Sequence, residues 1–309
     1  MRYFLSLSYD GTDFCGWQVQ PSSPSVQACL EAALSRLLGG GPVPVTGAGR
    51  TDTGVHAGAY VAHFDWPGSL PFEATDFIYK LNAILPHSVA VFSVTPVPED
   101  LHARFSATRR EYTYFIHRHK DPFLRRYSWL CGYPGLDFDA MNRACGYLLG
   151  THDFSCFEKT GGDNKTSVCT VFEAFWKPYT PSHLSVMASS EEEHAPSSGG
   201  GQAPEGACSS SCDTGQGALQ SARPEAAGDG RGQSPLSKDC ARASSYWYFR
   251  ISADRFLRNM VRATVGSLIE VGRGKHAPEW ITELIASGTR SDAGESVPGH
   301  ALFLNKVEY

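Results

Sequence analysis

Residues 47–57 of the chain read GAGRTDTGVHA. This stretch places Asp52 two positions after Arg50, between glycines that let a backbone turn sharply and approach a ligand closely. Apolar segments on either side predict strands at 43–46 and 59–64, so the stretch is expected to be the loop that joins them. A polar surface turn with an exposed Arg–Asp pair would show the same residues, and such pairs contribute little stability.

The segments around this loop predict an α+β fold. Alternation of apolar and polar residues indicates a strand at 3–9, and apolar residues at helical spacing after the candidate N-cap Ser25 indicate a helix. Further strands are predicted at 89–97, 112–117, 168–176, 246–252 and 301–307, and further helices at 74–85, 138–149, 256–271 and after residue 278. Strands and helices that alternate in this way over about one hundred residues are typical of a split βαβ unit. The second half of the chain shows a similar alternation of elements without repeating the sequence.

Composition places the chain among globular proteins. It has 309 residues, of which 41% are hydrophobic and 19% charged, enough for two domains of ordinary size. We expect no membrane association, because no run of about 18 apolar residues exists, and a cytoplasmic location, because the first residues lack a signal-peptide layout. The nine scattered cysteines form no CxxC pair, so we expect no metal site.

The net charge of −5 is unevenly distributed. Residues 102–126 hold seven Arg or Lys against two acidic residues, and residues 245–275 hold six against two. Both stretches are rich in aromatic residues, as expected of a groove that contacts phosphates, although two solvated basic faces would look the same. Residues 183–243 carry four basic against eight acidic residues. Residues 189–245, which overlap this acidic region, include almost no large apolar residue, which predicts a disordered insertion. Because the insertion is acidic, we expect it to lie away from any nucleic acid or to compete weakly with it.

An aspartic protease is the main alternative from another functional class. The triplet Asp-Thr-Gly at 52–54 recurs at 213–215, and paired triplets of this kind let two carboxylates share a proton. However, Asp213 falls in the segment predicted to be disordered, and Arg50 would favour the ionised form of Asp52 and oppose a shared proton.

Arginines in the basic stretches are candidates for the partner of Asp52. Arg255, Arg258 and Arg262 recur at spacings of three and four, which predicts one face of an otherwise apolar helix. Buried arginine is costly unless it meets a carboxylate, and Asp52 is the carboxylate most in need of a cation. Arg109 and Arg110 precede a strand carrying Tyr112, an arrangement that suits phosphates and a stacked base but also fits a sheet edge with core tyrosines.

Several motifs together resemble the TruA-type tRNA pseudouridine synthases of bacteria. They are residues 47–57, YDGTDFCGWQ (9–18), LNAILP (81–86), LHARFSA (101–107), REYTY (110–114), FLRNMVRATVG (256–266) and ALFL (301–304). The resemblance runs through the whole chain in the family's order, interrupted by the predicted insertion. It implies two similar ferredoxin-like lobes, residues 1–105 and 106–309, whose antiparallel or mixed sheets join around a central basic cleft. It also implies a homodimer that modifies tRNA at positions 38, 39 and 40 of the anticodon stem-loop without cofactor or metal.

The resemblance assigns roles residue by residue. Asp52 matches the catalytic nucleophile, Tyr112 the tyrosine that stacks on the target base and could take its C5 proton, and Arg262 the arginine paired with the aspartate. Arg50 matches the arginine associated with flipping the nucleotide. Further expected RNA contacts are Arg104, Arg109, Arg110 and Arg258. The alternative within this family is a tRNA-binding relative without catalytic activity, in which Asp52 would have no role in turnover.

Overall fold

The computed structural model describes residues 1–159, 161, 166–184 and 245–309, which build a mixed α/β structure around a large sheet. The strands are β1 (Arg2–Tyr9), β2 (Val45–Gly47), β3 (His56–Asp65), β4 (Val89–Val97), β5 (Arg109–His117), β6 (Trp129–Leu130), β7 (Gly150–Asp153), β8 (Val168–Pro178), β9 (Tyr246–Ala253) and β10 (Leu302–Glu308). The helices are α1 (Val26–Leu37), α2 (Ala74–Ile84), α3 (Phe138–Gly146), α4 (Met260–Gly272) and α5 (Trp280–Ser287). Short 3-10 turns lie at Ser155–Phe157 and Gly299–Ala301.

The sheet contains two antiparallel sets of strands with the same order. Its path is β4-β1-β3-β10-β5-β9-β8-β7, with β2 paired to β3 and β6 to β5. Antiparallel pairing gives β4-β1-β3-β2 in the first half of the chain and β10-β5-β9-β8 in the second. When the strands of each set are counted along the chain, both sets therefore have the order fourth, first, third, second. The sets meet where β10 runs parallel to β3 and Phe303 pairs with His56. The loop at 47–57 enters the sheet at this junction.

Local patterns account for most of these elements. Tyr3, Leu5, Leu7 and Tyr9 are buried on one face of β1, as the alternation predicted. Ser25 is the N-cap of α1, and its side chain accepts a hydrogen bond from the backbone N–H of Ala28. The buried faces of both halves belong to one hydrophobic core.

Two predicted helices differ from those observed. The helix predicted at 256–271 begins only at Met260, because Asn259 has φ 65° in the left-handed region and cannot continue a right-handed helix. Arg255 and Arg258 therefore precede the helix, so the prediction that they share a helix face with Arg262 is wrong. The helix predicted at 138–149 ends at Gly146, a residue type that weakens helices, and β7 follows from Gly150.

Contacts divide the chain into two units, Met1–Tyr179 with Ser244–Tyr309, and Thr180–Ala243. The sheet and the helices α1 to α5 belong to the first unit. The predicted insertion at 189–245 lies outside the described residues apart from Ser245. In the part of the chain that the structure describes, no helix is both long and apolar enough to cross a membrane.

Candidate active site

Asp52 and Arg262 form an ion pair at the junction of the two strand sets. Asp52 Oδ2 accepts a hydrogen bond from Arg262 Nη1 at 3.0 Å. Both side chains are partly shielded, with 31% of Asp52 and 22% of Arg262 exposed. Arg262 lies in the first turn of α4, so the pair joins the loop at 47–57 to the start of a helix from the second half of the chain.

The guanidinium of Arg262 also donates a hydrogen bond to the backbone. Its Nε donates to the backbone oxygen of Val297 at 2.7 Å, while the Val297 N–H donates to the backbone oxygen of Arg262 at 3.3 Å. Next to Val297, Ser296 Oγ accepts from Asn259 Nδ2 at 2.6 Å. The hydrogen bond to Val297 directs the guanidinium toward Asp52, because its planar set of N–H donors satisfies the Val297 oxygen and the Asp52 carboxylate together.

Tyr112 supplies a buried aromatic ring near this pair. It lies on β5 with 8% of its surface exposed, and its ring meets that of Phe256 edge-on at a centroid distance of 5.0 Å. Burial raises the pKa of Tyr112 to about 12; the charge of Arg110 opposes this shift and that of Asp52 adds to it. The Tyr112 hydroxyl is therefore protonated at neutral pH.

Aromatic side chains beneath the loop at 47–57 fix its backbone. The Tyr60 hydroxyl donates to the backbone oxygen of Gly49 and accepts from the Gly49 N–H at 3.3 Å, and its ring stacks on Trp17 at 4.2 Å. Thr51 Oγ1 shares a hydrogen bond of 2.9 Å with the Tyr9 hydroxyl. A loop tied in this way presents Asp52 on a rigid support.

A close approach of the segment at 9–18 supports the other side of the loop. Gly16 has φ 92°, and a Cβ at this position would lie 2.2 Å from the backbone oxygen of Thr51. The Gly54 N–H donates to the backbone oxygen of Phe14 at 3.2 Å. Gly54 itself has φ 76°, in agreement with the sharp turn predicted for the glycines of this stretch.

Arg110 contacts backbone oxygens beneath the loop. Its guanidinium donates to Ala48 at 2.9 Å, to Asp254 at 2.9 Å and to Arg104 at 2.6 Å. Burial lowers the pKa of Arg110, because these neutral acceptors do not replace the water that the charge has lost. The structure therefore gives Arg110 a positioning role that its sequence motif did not reveal.

Arg109 points away from this group. Its Nη2 donates to Ser252 Oγ at 2.7 Å, and its guanidinium lies over the ring of Phe172 at 5.4 Å. Since neighbouring residues of a strand face opposite sides of the sheet, Arg109 and Tyr112 lie on different faces of β5. The structure does not bring Arg109 to Asp52.

The remaining predicted RNA contacts are exposed. They are Arg50, Arg104 and Arg258. The guanidinium of Arg104 lies 5.5 Å from the centroid of the Phe105 ring. Arg50 is two residues from Asp52, and the backbone oxygen of Arg258 accepts from the Lys159 N–H at 3.0 Å. Three exposed cations suit an anionic ligand larger than a single base.

His56 is a part of the site that the sequence analysis did not single out. It is 1% exposed, and its Nδ1 accepts from the Gly11 N–H at 3.0 Å. Its Nε2 lies 3.0 Å from the backbone oxygen of His300. His56 thus ties the end of the loop at 47–57 both to the segment at 9–18 and to the turn before β10. Its place within the loop motif was the only available signal for this role.

Two other expectations concern a second carboxylate and a metal ion. Asp213, the second carboxylate of the protease alternative, lies outside the described residues. Among the residues that are described, no group of three His, Cys, Asp or Glu side chains is placed to hold a metal ion.

Known proteins show similarity over the whole chain. A family model described as tRNA pseudouridine synthase matches residues 6–106 and 144–309. The tRNA pseudouridine synthase A of Parabacteroides distasonis is 39% identical over 312 residues, covering 100% of this chain and 96% of the relative. The proteins of the same name in Bacteroides fragilis and Bacillus pumilus are 39% and 32% identical, each covering 100% of this chain and 96% and 99% of their own lengths.

Proposed function

Because this chain belongs to the tRNA pseudouridine synthase family, we propose that it isomerises uridine to pseudouridine in tRNA, at positions 38, 39 and 40 of the anticodon stem-loop. The observation that carries the proposal is the Asp52–Arg262 ion pair beside the buried ring of Tyr112. The reaction neither adds nor removes atoms overall: the bond from N1 to C1′ breaks, the uracil turns, C5 bonds to C1′ and loses its proton, and N1 gains a proton.

Access to C1′ requires that the uridine leave the base stack. Extrusion costs a few kcal/mol of stacking and pairing, which contacts to the flipped base and backbone must offset. Arg50 is exposed and two residues from Asp52, so it can fill the position that the base leaves or hold the displaced phosphate. We assign to it the flipping role that the family resemblance implies.

Asp52 carries out the bond cleavage. Its carboxylate can attack the sugar, attack the base, or remove a sugar proton, and all three routes need a negative charge aimed at the nucleotide. Arg262 supplies the counter-charge on one oxygen of the carboxylate. The hydrogen bond from Arg262 Nε to the backbone oxygen of Val297 keeps the guanidinium directed toward Asp52 when the nucleotide enters.

Tyr112 holds the uracil during its rotation. Its pKa of about 12 makes a phenolate unfavourable at neutral pH, so stacking on the base is the role that we assign first. Removal of the C5 proton by Tyr112 would require the hydroxyl proton to leave in the same step.

The architecture that we propose has two ferredoxin-like lobes, residues 1–105 and 106–309, around a basic cleft. The matching strand orders β4-β1-β3-β2 and β10-β5-β9-β8 support it, since both are the antiparallel order of a split βαβ unit. We further infer a homodimer from the family resemblance and a cytoplasmic location from the substrate. Light scattering of the purified chain tests the dimer.

Release of tritium from [5-³H]uridine in tRNA tests the activity. We expect release by the wild-type chain and none by Asp52→Ala, with tRNA binding retained in the variant. Substrates with cytidine at position 38, 39 or 40 then identify the modified positions. Binding without release by the wild-type chain would indicate an idle tRNA-binding relative, and turnover by Asp52→Ala would contradict the role of Asp52.

A further inference from the structure

The segment from His102 to Ser106 is a fixed loop at the edge of the candidate site. The Ala103 N–H donates to Nδ1 of His63 at 3.1 Å, and the N–H groups of Arg104 and Phe105 donate to Nδ1 of His102 at 3.0 and 3.2 Å. Because imidazole rings accept three successive backbone N–H groups, the loop has little freedom to change its shape.

The Phe105 side chain is largely exposed to solvent, although hydrogen bonds fix the backbone of its loop. Its side chain is 76% exposed, and its ring contacts the His102 imidazole at a centroid distance of 4.4 Å and an angle of 34°. Its neighbour Arg104 is also exposed, with the guanidinium 5.5 Å from the same ring centroid. The loop therefore presents an aromatic face and a cation side by side on a rigid backbone.

Arg110 connects this loop to the loop of Asp52. One guanidinium nitrogen, Nη2, donates both to the backbone oxygen of Arg104 and to that of Ala48. Arg110 and Tyr112 share a face of β5 and are two residues apart, which separates their Cα atoms by about 7 Å. The hydrogen bonds of Arg110 therefore tie the backbone of the Phe105 loop to the loop of Asp52, on the face of β5 that also carries Tyr112.

We infer that Phe105 is a stacking site for an RNA base that neighbours the target uridine, with Arg104 at the adjacent phosphate. This inference rests on the proposed function, since it places a second nucleotide beside the one that reacts. Aromatic stacking accepts any base, and a phosphate contact by arginine is equally independent of sequence. The site therefore strengthens RNA binding and fixes the position of the RNA strand, and selection among bases is left to the residues around Asp52.

The test compares Phe105→Ala, Phe105→Leu and Phe105→Trp in the full chain. Leucine keeps apolar bulk without an aromatic face, and tryptophan restores the face. Kd for a fluorescent anticodon stem-loop RNA is measured by anisotropy in an Asp52→Asn background, and KM and kcat are measured by tritium release. Tyr79→Ala is the matched control, because Tyr79 on α2 is also 76% exposed.

We expect Phe105→Ala and Phe105→Leu to raise Kd and KM by about 5- to 150-fold, with Phe105→Trp close to wild type. Thermal melting should change little in each variant, since the side chain is exposed. Wild-type affinity in Phe105→Leu, or an equal loss in Tyr79→Ala, would overturn the inference. Absence of turnover by the wild-type chain would count against the proposed function instead, so the two failures are distinguishable.

Discussion

Asp52 Oδ2 lies 3.0 Å from Arg262 Nη1, although the two residues are 210 positions apart in the chain. The contact joins the loop before β3 to the first turn of α4, and these elements belong to different strand sets of the sheet. A site built from both halves depends on the pairing of β3 with β10, which joins the two strand sets.

Replacement of Arg262 by lysine should lower kcat by about 100-fold with little change in Kd for tRNA, because a displacement of about 1 Å can cost that much. Lysine keeps the charge but lacks the planar fork that reaches both Asp52 and Val297. Single-turnover tritium release measures the effect. Arg36→Lys is the control, since Arg36 is exposed on α1 and is not among the expected RNA contacts; an equal loss of rate in both variants would contradict the positioning role of Arg262.

Substitutions of Tyr112 separate stacking from hydroxyl chemistry. Tyr112→Phe should retain activity within about tenfold, whereas Tyr112→Leu should lose about 5- to 150-fold through loss of the stacked ring. Because burial raises the pKa of Tyr112 to about 12, kcat of the wild-type chain should show no Tyr112 titration between pH 6 and 10. If Tyr112→Phe proved as inactive as Asp52→Ala, proton transfer by the hydroxyl would be its main role.

Gly16→Ala should destabilise the fold and displace the loop at 47–57. Its φ of 92° disfavours any side chain, and a Cβ would lie 2.2 Å from the Thr51 oxygen. Gly40→Ala is the control, because Gly40 has φ 89° with no atom within 4 Å of the added Cβ. Urea unfolding should show about 1–3 kcal/mol of backbone strain in both variants. Only Gly16→Ala should also reduce kcat; similar activity in the two variants would show that the close approach is unimportant.

The salt dependence of tRNA binding distinguishes phosphate contacts from positioning residues. Arg258→Ala should reduce the slope of log K against log salt concentration by about one. Arg110→Met should leave the slope unchanged and lower the free energy of unfolding by about 2 kcal/mol, because Arg110 donates to backbone oxygens of the chain itself. A reduced slope in Arg110→Met would instead make Arg110 a direct RNA contact.

Stability should fall as pH decreases from about 6.5 to about 4. Burial is the main cause that lowers the pKa of His63 from 6.5 to about 4, and burial also lowers the pKa of His102. Unfolded His63 binds a proton below about pH 6.5 but folded His63 does so only below about pH 4, so the unfolded state gains stability between these values. Urea midpoints at pH 7.5 and 5 measure the loss. His63→Asn keeps an acceptor without titrating and should show a smaller loss; an unchanged loss would exclude His63 as a contributor.

Sequence patterns predicted the elements whose causes are local. The bounds of β4, Val89–Val97, agree with the prediction, and Ser25 caps α1 as expected. The start of α4 was predicted four residues early, because Phe256 continues the apolar spacing while the left-handed conformation of Asn259 leaves no mark in that spacing. The short strands β6 and β7 were not predicted at all, since two to four residues carry too little periodicity.

The sequence by itself determined that an arginine among apolar residues needs a carboxylate, and the family resemblance of its motifs singled out Arg262 as the partner of Asp52. Only the tertiary structure decided that Arg110 turns inward to the oxygen of Ala48 while Arg109 lies on the opposite face with Phe172. The physical reason is that these partners come from strands and loops far apart in the chain. Their distances depend on the pairing of β3 with β10 and of β5 with β9, which no local pattern specifies.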